Sequence, residues 1–168
     1  MKFKSNLLSL AFLLFSVAVF AQDDITPAPS LTLKQLDGHS LNLTDYASND
    51  KITVVSFWAT WCTPCKKELD AINDVYEDWQ EEFGDFELVA VTIDNARQLT
   101  KVPGMVSTKG WEFDVLSVDQ NAAETAFGFQ TIPQTFLIDK SGNIVYSHSG
   151  YVPGDEYELE DQIKALLK

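Results

Sequence analysis

Apolar and polar positions follow two rhythms along this chain, and they change over at one short stretch. From Lys51 to Trp58, Ile52, Val54, Val55, Phe57 and Trp58 make a nearly continuous apolar, β-branched run, the pattern of a strand covered on both faces. Beyond Cys62-Thr63-Pro64-Cys65 the rhythm becomes helical. Leu69, Ile72, Tyr76, Trp79 and Phe83 fall at steps of three and four, one stripe on a helix of about five turns that Gly84 closes. Phe86 to Ile93 is a second apolar run. Strand, helix and strand in this order predict a parallel pair joined by a right-handed crossover.

The remaining pattern fills in around that unit. Residues 22–30, with Pro27 and Pro29, read as an extended lead-in. Leu31 to Leu36 alternates, Asp37-Gly38 turns the chain, and Leu41-Asn42-Leu43 returns it, which predicts a hairpin. Thr44 to Ala47 is a helical turn and Ser48-Asn49-Asp50 a loop. Asp94 to Lys109 reads as one helix weakened at Val102-Pro103-Gly104, Trp111 to Ser117 as a short strand, and Asp119 to Phe127 as a helix ended by Gly128. Thr135–Ile138 and Ile144–Ser149 are strands joined by a turn at Asp139–Asn143. Pro153-Gly154-Asp155 opens a last helix with Leu159, Ile163, Leu166 and Leu167 as its apolar face. The expectation is one α/β domain over 31–168, a mixed central sheet flanked by helices.

The first 21 residues stand apart from this fold. Lys2 and Lys4 lead an apolar run from Leu7 to Phe20, and Val19-Phe20-Ala21 offers small residues where a signal peptidase reads, so cleavage after Ala21 leaves Gln22 first. An uncleaved N-terminal anchor is the alternative. No cysteine follows the run, which argues against a lipoprotein. Export to a periplasmic or otherwise extracytoplasmic compartment is the expectation. The net charge of −13 becomes −15 once the two leader lysines are removed, and no basic stripe exists to neutralise phosphates, which excludes nucleic acid as a partner.

Export also changes what the only two cysteines mean. In an oxidising compartment a cysteine pair is usually a staple. Cys62 and Cys65 enclose only two residues, however, so bridging them removes little entropy from the unfolded chain. A redox or metal role fits better. At a helix N-terminus, unpaired N–H groups and the helix dipole favour a thiolate, Pro64 is tolerated in the first turn, and Lys66 and Lys67 add positive charge. Cys62, at the cap, is then the exposed nucleophile and Cys65 the buried resolving thiol, attacking through a mixed disulfide.

The run Phe57-Trp58-Ala59-Thr60-Trp61-Cys62-Thr63-Pro64-Cys65-Lys66-Lys67-Glu68 resembles the active site of the thioredoxin superfamily, and its Trp-Cys-x-Pro-Cys-Lys-Lys-Glu form resembles the exported TlpA/ResA-like branch. The resemblance extends from about Leu31 to the C-terminus. It includes Asp119–Gly128 and Ile132-Pro133-Gln134-Thr135-Phe136-Leu137-Ile138, which are similar to the family's helix, cis-proline loop and next strand. It implies a thioredoxin-like fold carrying an N-terminal hairpin and a central helix–strand insertion. It implies a cis Ile132–Pro133 peptide beside the dithiol, with the Ile132 backbone free to pair with an extended substrate. Trp61, Thr63, Pro64 and Ile132 become the expected substrate groove.

One departure matters. Thioredoxin carries a buried aspartate six residues before its first cysteine, and this chain has Ser56 there. The resemblance points to a carboxylate from elsewhere, and Asp94, at the end of the second strand, is the candidate acid/base; its alternative is a helix N-cap before Ala96-Arg97. Glu68 reads as a helix-surface residue. Trp58, Trp79 and Trp111 read as packing. His39 and His148 stand alone in the sequence and read as solvated or hydrogen-bonded, with no metal-ligand spacing.

The function expected from these readings is an exported thiol–disulfide oxidoreductase. It reduces protein disulfides, including apocytochrome haem-attachment cysteines, and is re-reduced by a membrane electron-transfer partner. Its redox centre is the Cys62–Cys65 couple itself, with no separate cofactor and no metal. Two alternatives stay open: a thiol oxidant of the same fold, and a copper chaperone whose thiolates hold Cu(I). The copper chaperones of the superfamily use a wider cysteine spacing and a later histidine, for which His148 is only a loose match. A thiol peroxidase is disfavoured because Val55 stands where its proline–threonine context would need a proline.

Overall fold

A computed structural model describes residues 26–167; the leader read at 1–21 and the Gln22 start lie outside them. The elements in chain order are β1 (Thr26–Pro27), β2 (Thr32–Gln35), β3 (Ser40–Asn42), α1 (Leu43–Ala47), β4 (Ile52–Trp58), α2 (Thr63–Phe83), β5 (Phe86–Thr92), α3 (Ala96–Leu99), α4 (Val102–Lys109), β6 (Asp114–Ser117), α5 (Gln120–Phe127), β7 (Gln134–Ile138), β8 (Asn143–Ser149) and α6 (Asp155–Leu166). The strands form one mixed sheet in the order β1-β8-β7-β4-β5-β6-β2-β3. The pairs β4–β5 and β5–β6 are parallel and the rest antiparallel.

β4 is central and buried along its whole length, as its continuous apolar pattern requires. Its two faces hold different layers. Ser56 faces α2, through Glu68. Phe57 faces the opposite side, where its ring packs against Phe127 of α5, Phe129 and Phe136 at centroid distances of 4.9, 4.8 and 6.1 Å. Helix α2 closes its own end with a second aromatic cluster, Trp79 and Phe83 against Phe86 of β5. Such edge-on ring pairs contribute about 0.5–1.5 kcal/mol each beyond the area they bury.

Several boundaries differ from the sequence expectation, each for a local reason. The lead-in is partly sheet: Thr26 and Pro27 pair with Ile144 and Asn143. The helix expected over 94–109 is two helices, because Pro103 has no N–H and is accommodated only in a first turn, so α4 starts afresh at Val102. The strand expected from Trp111 begins only at Asp114. Trp111 and Phe113 instead stack on each other, and the Trp111 indole N–H donates to Asp70 on α2 at 3.0 Å. Leu159 and Ile163 are buried as expected, but Leu166 and Leu167, at the end of α6, keep more than a third of their surface exposed.

The β7–β8 turn depends on one glycine. Gly142 has φ +81°, donates to the Asp139 carbonyl and accepts from Ala28 N–H, and a Cβ there would lie 2.8 Å from the Ala47 carbonyl oxygen. Gly38, at φ +94°, has open space around it. A left-handed residue with a Cβ costs about 1–2 kcal/mol. Gly142→Ala should therefore lower unfolding stability by more than about 2 kcal/mol and Gly38→Ala by about 1 kcal/mol, read from urea midpoints. Equal losses would mean that the contact with α1 carries no weight.

Candidate active site

The site is built where β4 ends and α2 begins. Cys62 is the N-cap of α2, in extended conformation (φ −85°, ψ 103°), and its sulfur accepts from the Cys65 N–H at 3.3 Å. Pro64 lies in the first turn, where its missing N–H breaks no bond, and that turn carries no acid. The two cysteines form a disulfide. Cys65 is wholly buried, and Cys62, expected as an exposed thiol, keeps only 5% of its surface in this oxidised form. The cover comes from the loop opposite: the Cys62 sulfur lies 3.8 Å from the Ile132 carbonyl oxygen.

That loop contains the Ile132–Pro133 peptide in the cis form. Its far end is tied to β8's exit by the bond from Gly150 N–H to the Pro133 carbonyl. Beside the dithiol a cleft of about 290 Å³ is lined by Trp61, Ile93, Gln120, Glu124, Gln130, Thr131 and Ile132. The Trp61 ring is 56% exposed there, whereas Trp58 is fully buried and meets Trp111 edge to face. Of the residues expected in the groove, Trp61 and Ile132 line this cleft; Thr63 and Pro64 are exposed on α2 outside its wall.

Asp94 is buried at the end of β5, and both its oxygens are occupied. It accepts from Thr60 N–H at 2.8 Å, Thr60 Oγ1 at 3.0 Å and Thr92 Oγ1 at 2.8 Å. The N-cap of α3 is Asn95, not Asp94. Asp94 therefore anchors the loop that delivers Cys62. Lys66 reinforces the same loop, its ammonium donating to the Thr60 carbonyl at 2.9 Å.

The residue that sequence reasoning missed is Glu68. Far from being a surface residue, it is only 4% exposed and lies one turn beyond Cys65 on α2. Ser56 of β4 donates to its carboxylate at 3.0 Å and Thr135 of β7 at 2.7 Å. It thus supplies a buried carboxylate directly above the position where Ser56 replaces an acid. Burial pushes the Glu68 carboxyl from 4.5 up to about 7, against the two hydroxyl donors that pull it down. Two signals were present in the sequence: position 68 falls on the apolar stripe of α2, and a strand lacking its acid invites one from the facing helix.

The histidines are placed differently from each other. His39 is exposed beside Asp37. His148 is not solitary: its ring bonds Asp155 at 3.0 Å and stacks on Tyr146. Among the described residues no group of three or more His, Cys, Asp or Glu side chains could hold a metal ion, and no helix is long and apolar enough to cross a membrane.

Comparison with known proteins agrees with this geometry. The AhpC/TSA family model matches residues 26–147. The chain is 32% identical over 117 residues to the thiol-disulfide oxidoreductase ResA of Geobacillus thermodenitrificans, a match covering 70% of this chain and 64% of that protein's length. It is 32% identical to the thioredoxin-like protein YneN of Bacillus subtilis, over 78% of this chain and 74% of the other. Among solved structures, an uncharacterized thioredoxin-like protein from Porphyromonas gingivalis superposes with a TM-score of 0.72 at 37% identity, covering 84% of this chain and 94% of that one. A putative thiol:disulfide interchange protein DsbE from Chlorobium tepidum gives 0.74 at 27% identity, covering 87% and 99%. The fold is thioredoxin-like.

The raised Glu68 carboxyl has a stability consequence with a definite sign. The folded protein holds this proton more tightly than the unfolded chain, so the stabilisation is complete below pH 4.5 and is lost as pH rises to about 7. The loss amounts to about 3 kcal/mol. Glu68→Gln mimics the protonated acid. The oxidised variant should match wild type in urea at about pH 4 and exceed it by about 3 kcal/mol at pH 8. A difference that is the same at both pH values would show that Glu68 ionises as readily folded as unfolded.

Proposed function

The chain belongs to the AhpC/TSA family, and we propose that it is an exported thiol–disulfide oxidoreductase that reduces disulfides in other proteins. The observation that carries this reading is the Cys62–Cys65 disulfide capping α2 against the Ile132–Pro133 loop. In the dithiol form the Cys62 thiolate, favoured by the Cys65 N–H and the helix N-terminus, attacks one sulfur of a client disulfide. The other client sulfur leaves as a thiolate and takes a proton from solvent. The client is now joined to Cys62, its extended segment lying along Ile132.

Cys65 then gives its proton to the Glu68 carboxylate and attacks the Cys62 sulfur. The second client sulfur leaves, the client has gained two electrons, and the chain carries the disulfide. Glu68 suits this work because its pKa of about 7 lies near the operating pH and it stands one turn from Cys65. Asp94 holds the loop in place instead. Relatives named as thiol-disulfide oxidoreductases support the reaction class. The leader supports export, and the resemblance to the TlpA/ResA-like branch supports apocytochrome haem-attachment cysteines as clients and a membrane electron-transfer partner as the source of the dithiol.

Insulin offers a direct test. The dithiol form should reduce its interchain disulfides, Cys65→Ser should accumulate a mixed disulfide, and Cys62→Ser should lose both activities. The couple should be clearly more reducing than the strong disulfide donors, which lie near about −120 mV. A potential at that level would reverse the direction of the reaction, and a Cys62→Ser variant with full activity would remove the nucleophile.

A further inference from the structure

Glu68, one turn along α2 from Cys65, also lines a small cavity. Ser56, Thr135 and His148 stand directly opposite one another across β4, β7 and β8, so their side chains share the face that α2 and α6 cover. Thr135 bonds Glu68, and His148 is the next residue outward in the same row. The cavity between them has room for about one water molecule and is walled by Glu68, Thr135, Tyr146, His148, Tyr151 and Asp155, with Glu156 and Leu159 completing it. His148 is partly exposed at the outer end.

The polar groups around this cavity have separate duties. Asp155 accepts from Val152 N–H at 2.7 Å and from the His148 ring at 3.0 Å, which fixes the ring. Glu156 is held by Tyr151 and Gly154 N–H, and Glu158 by Tyr146. Burial, with the Glu158 and Glu156 carboxylates beside them, pushes the Tyr146 and Tyr151 phenols up to about 12, so both stay protonated. Among the side chains lining the cavity, His148 alone offers a basic nitrogen.

We propose that His148, clamped by Asp155, is the outer station of a proton path that carries the Cys65 proton from Glu68 through this cavity to solvent. The path rests on the reading of Glu68 given above. Once Cys65 has closed the disulfide, the proton on Glu68 passes across the cavity to His148. The imidazolium is stabilised there by the Asp155 carboxylate and releases the proton to bulk water, which resets Glu68 as a base. In the reverse reaction the same path returns a proton to Cys65. Proton traffic thus leaves by the α6 side of the sheet, while the client occupies the Ile132 side. His148 acts through Glu68 and touches neither sulfur, so it is a positioning and relay residue.

The test uses the full chain and single-turnover closure of the disulfide, followed by tryptophan fluorescence against pH. His148→Ala should slow closure at pH 7 by about tenfold, and free imidazole in the buffer should restore most of the rate. His148→Gln, whose amide can still bond Asp155 but offers no basic nitrogen, should be as slow as His148→Ala. Glu68→Gln should be slow with no rescue by imidazole. Unchanged rates in both His148 variants, or slow rates that imidazole leaves untouched, would overturn the relay. A Glu68→Gln variant with wild-type rate and pH profile would overturn the Glu68 reading instead, which separates the two failures.

Discussion

A single buried carboxylate bridges the layers of this molecule. Glu68 projects from α2 onto the sheet and accepts from Ser56 on the central strand and Thr135 on its neighbour. Those two bonds fix α2 in register over β4 and β7, and α2 in turn presents the capping cysteine. A buried acid is expensive to ionise, and the two hydroxyls only partly offset that cost, which is why its proton is held up to near-neutral pH. The same group therefore seats the helix and carries a proton one turn of α2 from Cys65.

Asp94 completes the arrangement from the other side. Its oxygens collect the Thr60 amide, the Thr60 hydroxyl and the Thr92 hydroxyl, so the segment between Trp58 and Cys62 has no slack. Lys66 draws the Thr60 carbonyl back toward α2. Two acids thus have distinct work. Asp94, with three bonds from Thr60 and Thr92, positions the loop, and Glu68, with one bond each from Ser56 and Thr135, seats the helix.

Much of this was legible in the residues. The continuous apolar run of β4, the three-and-four spacing of α2 and the Cys-x-x-Cys pair between them located the site before any coordinates. The cis peptide at Pro133 came from resemblance alone, since nothing in an Ile-Pro dipeptide specifies its isomer. Glu68 was overlooked because a charged residue after two lysines suggests solvent. Its place on the apolar stripe was the stronger signal, and the acid missing at Ser56 was its complement. His148 was out of reach for another reason: its proximity to Glu68 arises only when β7 and β8 pair in register across the Asp139–Gly142 turn. Short features such as β1 and the break between α3 and α4 depend on one or two backbone bonds and leave little trace in periodicity.

Among the described residues the sheet ends in β1, two residues long and half proline, on one side, and in β3, three residues long, on the other. A long bare edge would invite any extended polypeptide to add itself as another strand and would nucleate aggregates. At the β3 side such a segment finds only three residues to pair with. On the β3 side the molecule can therefore meet other polypeptides without becoming a template on which they assemble.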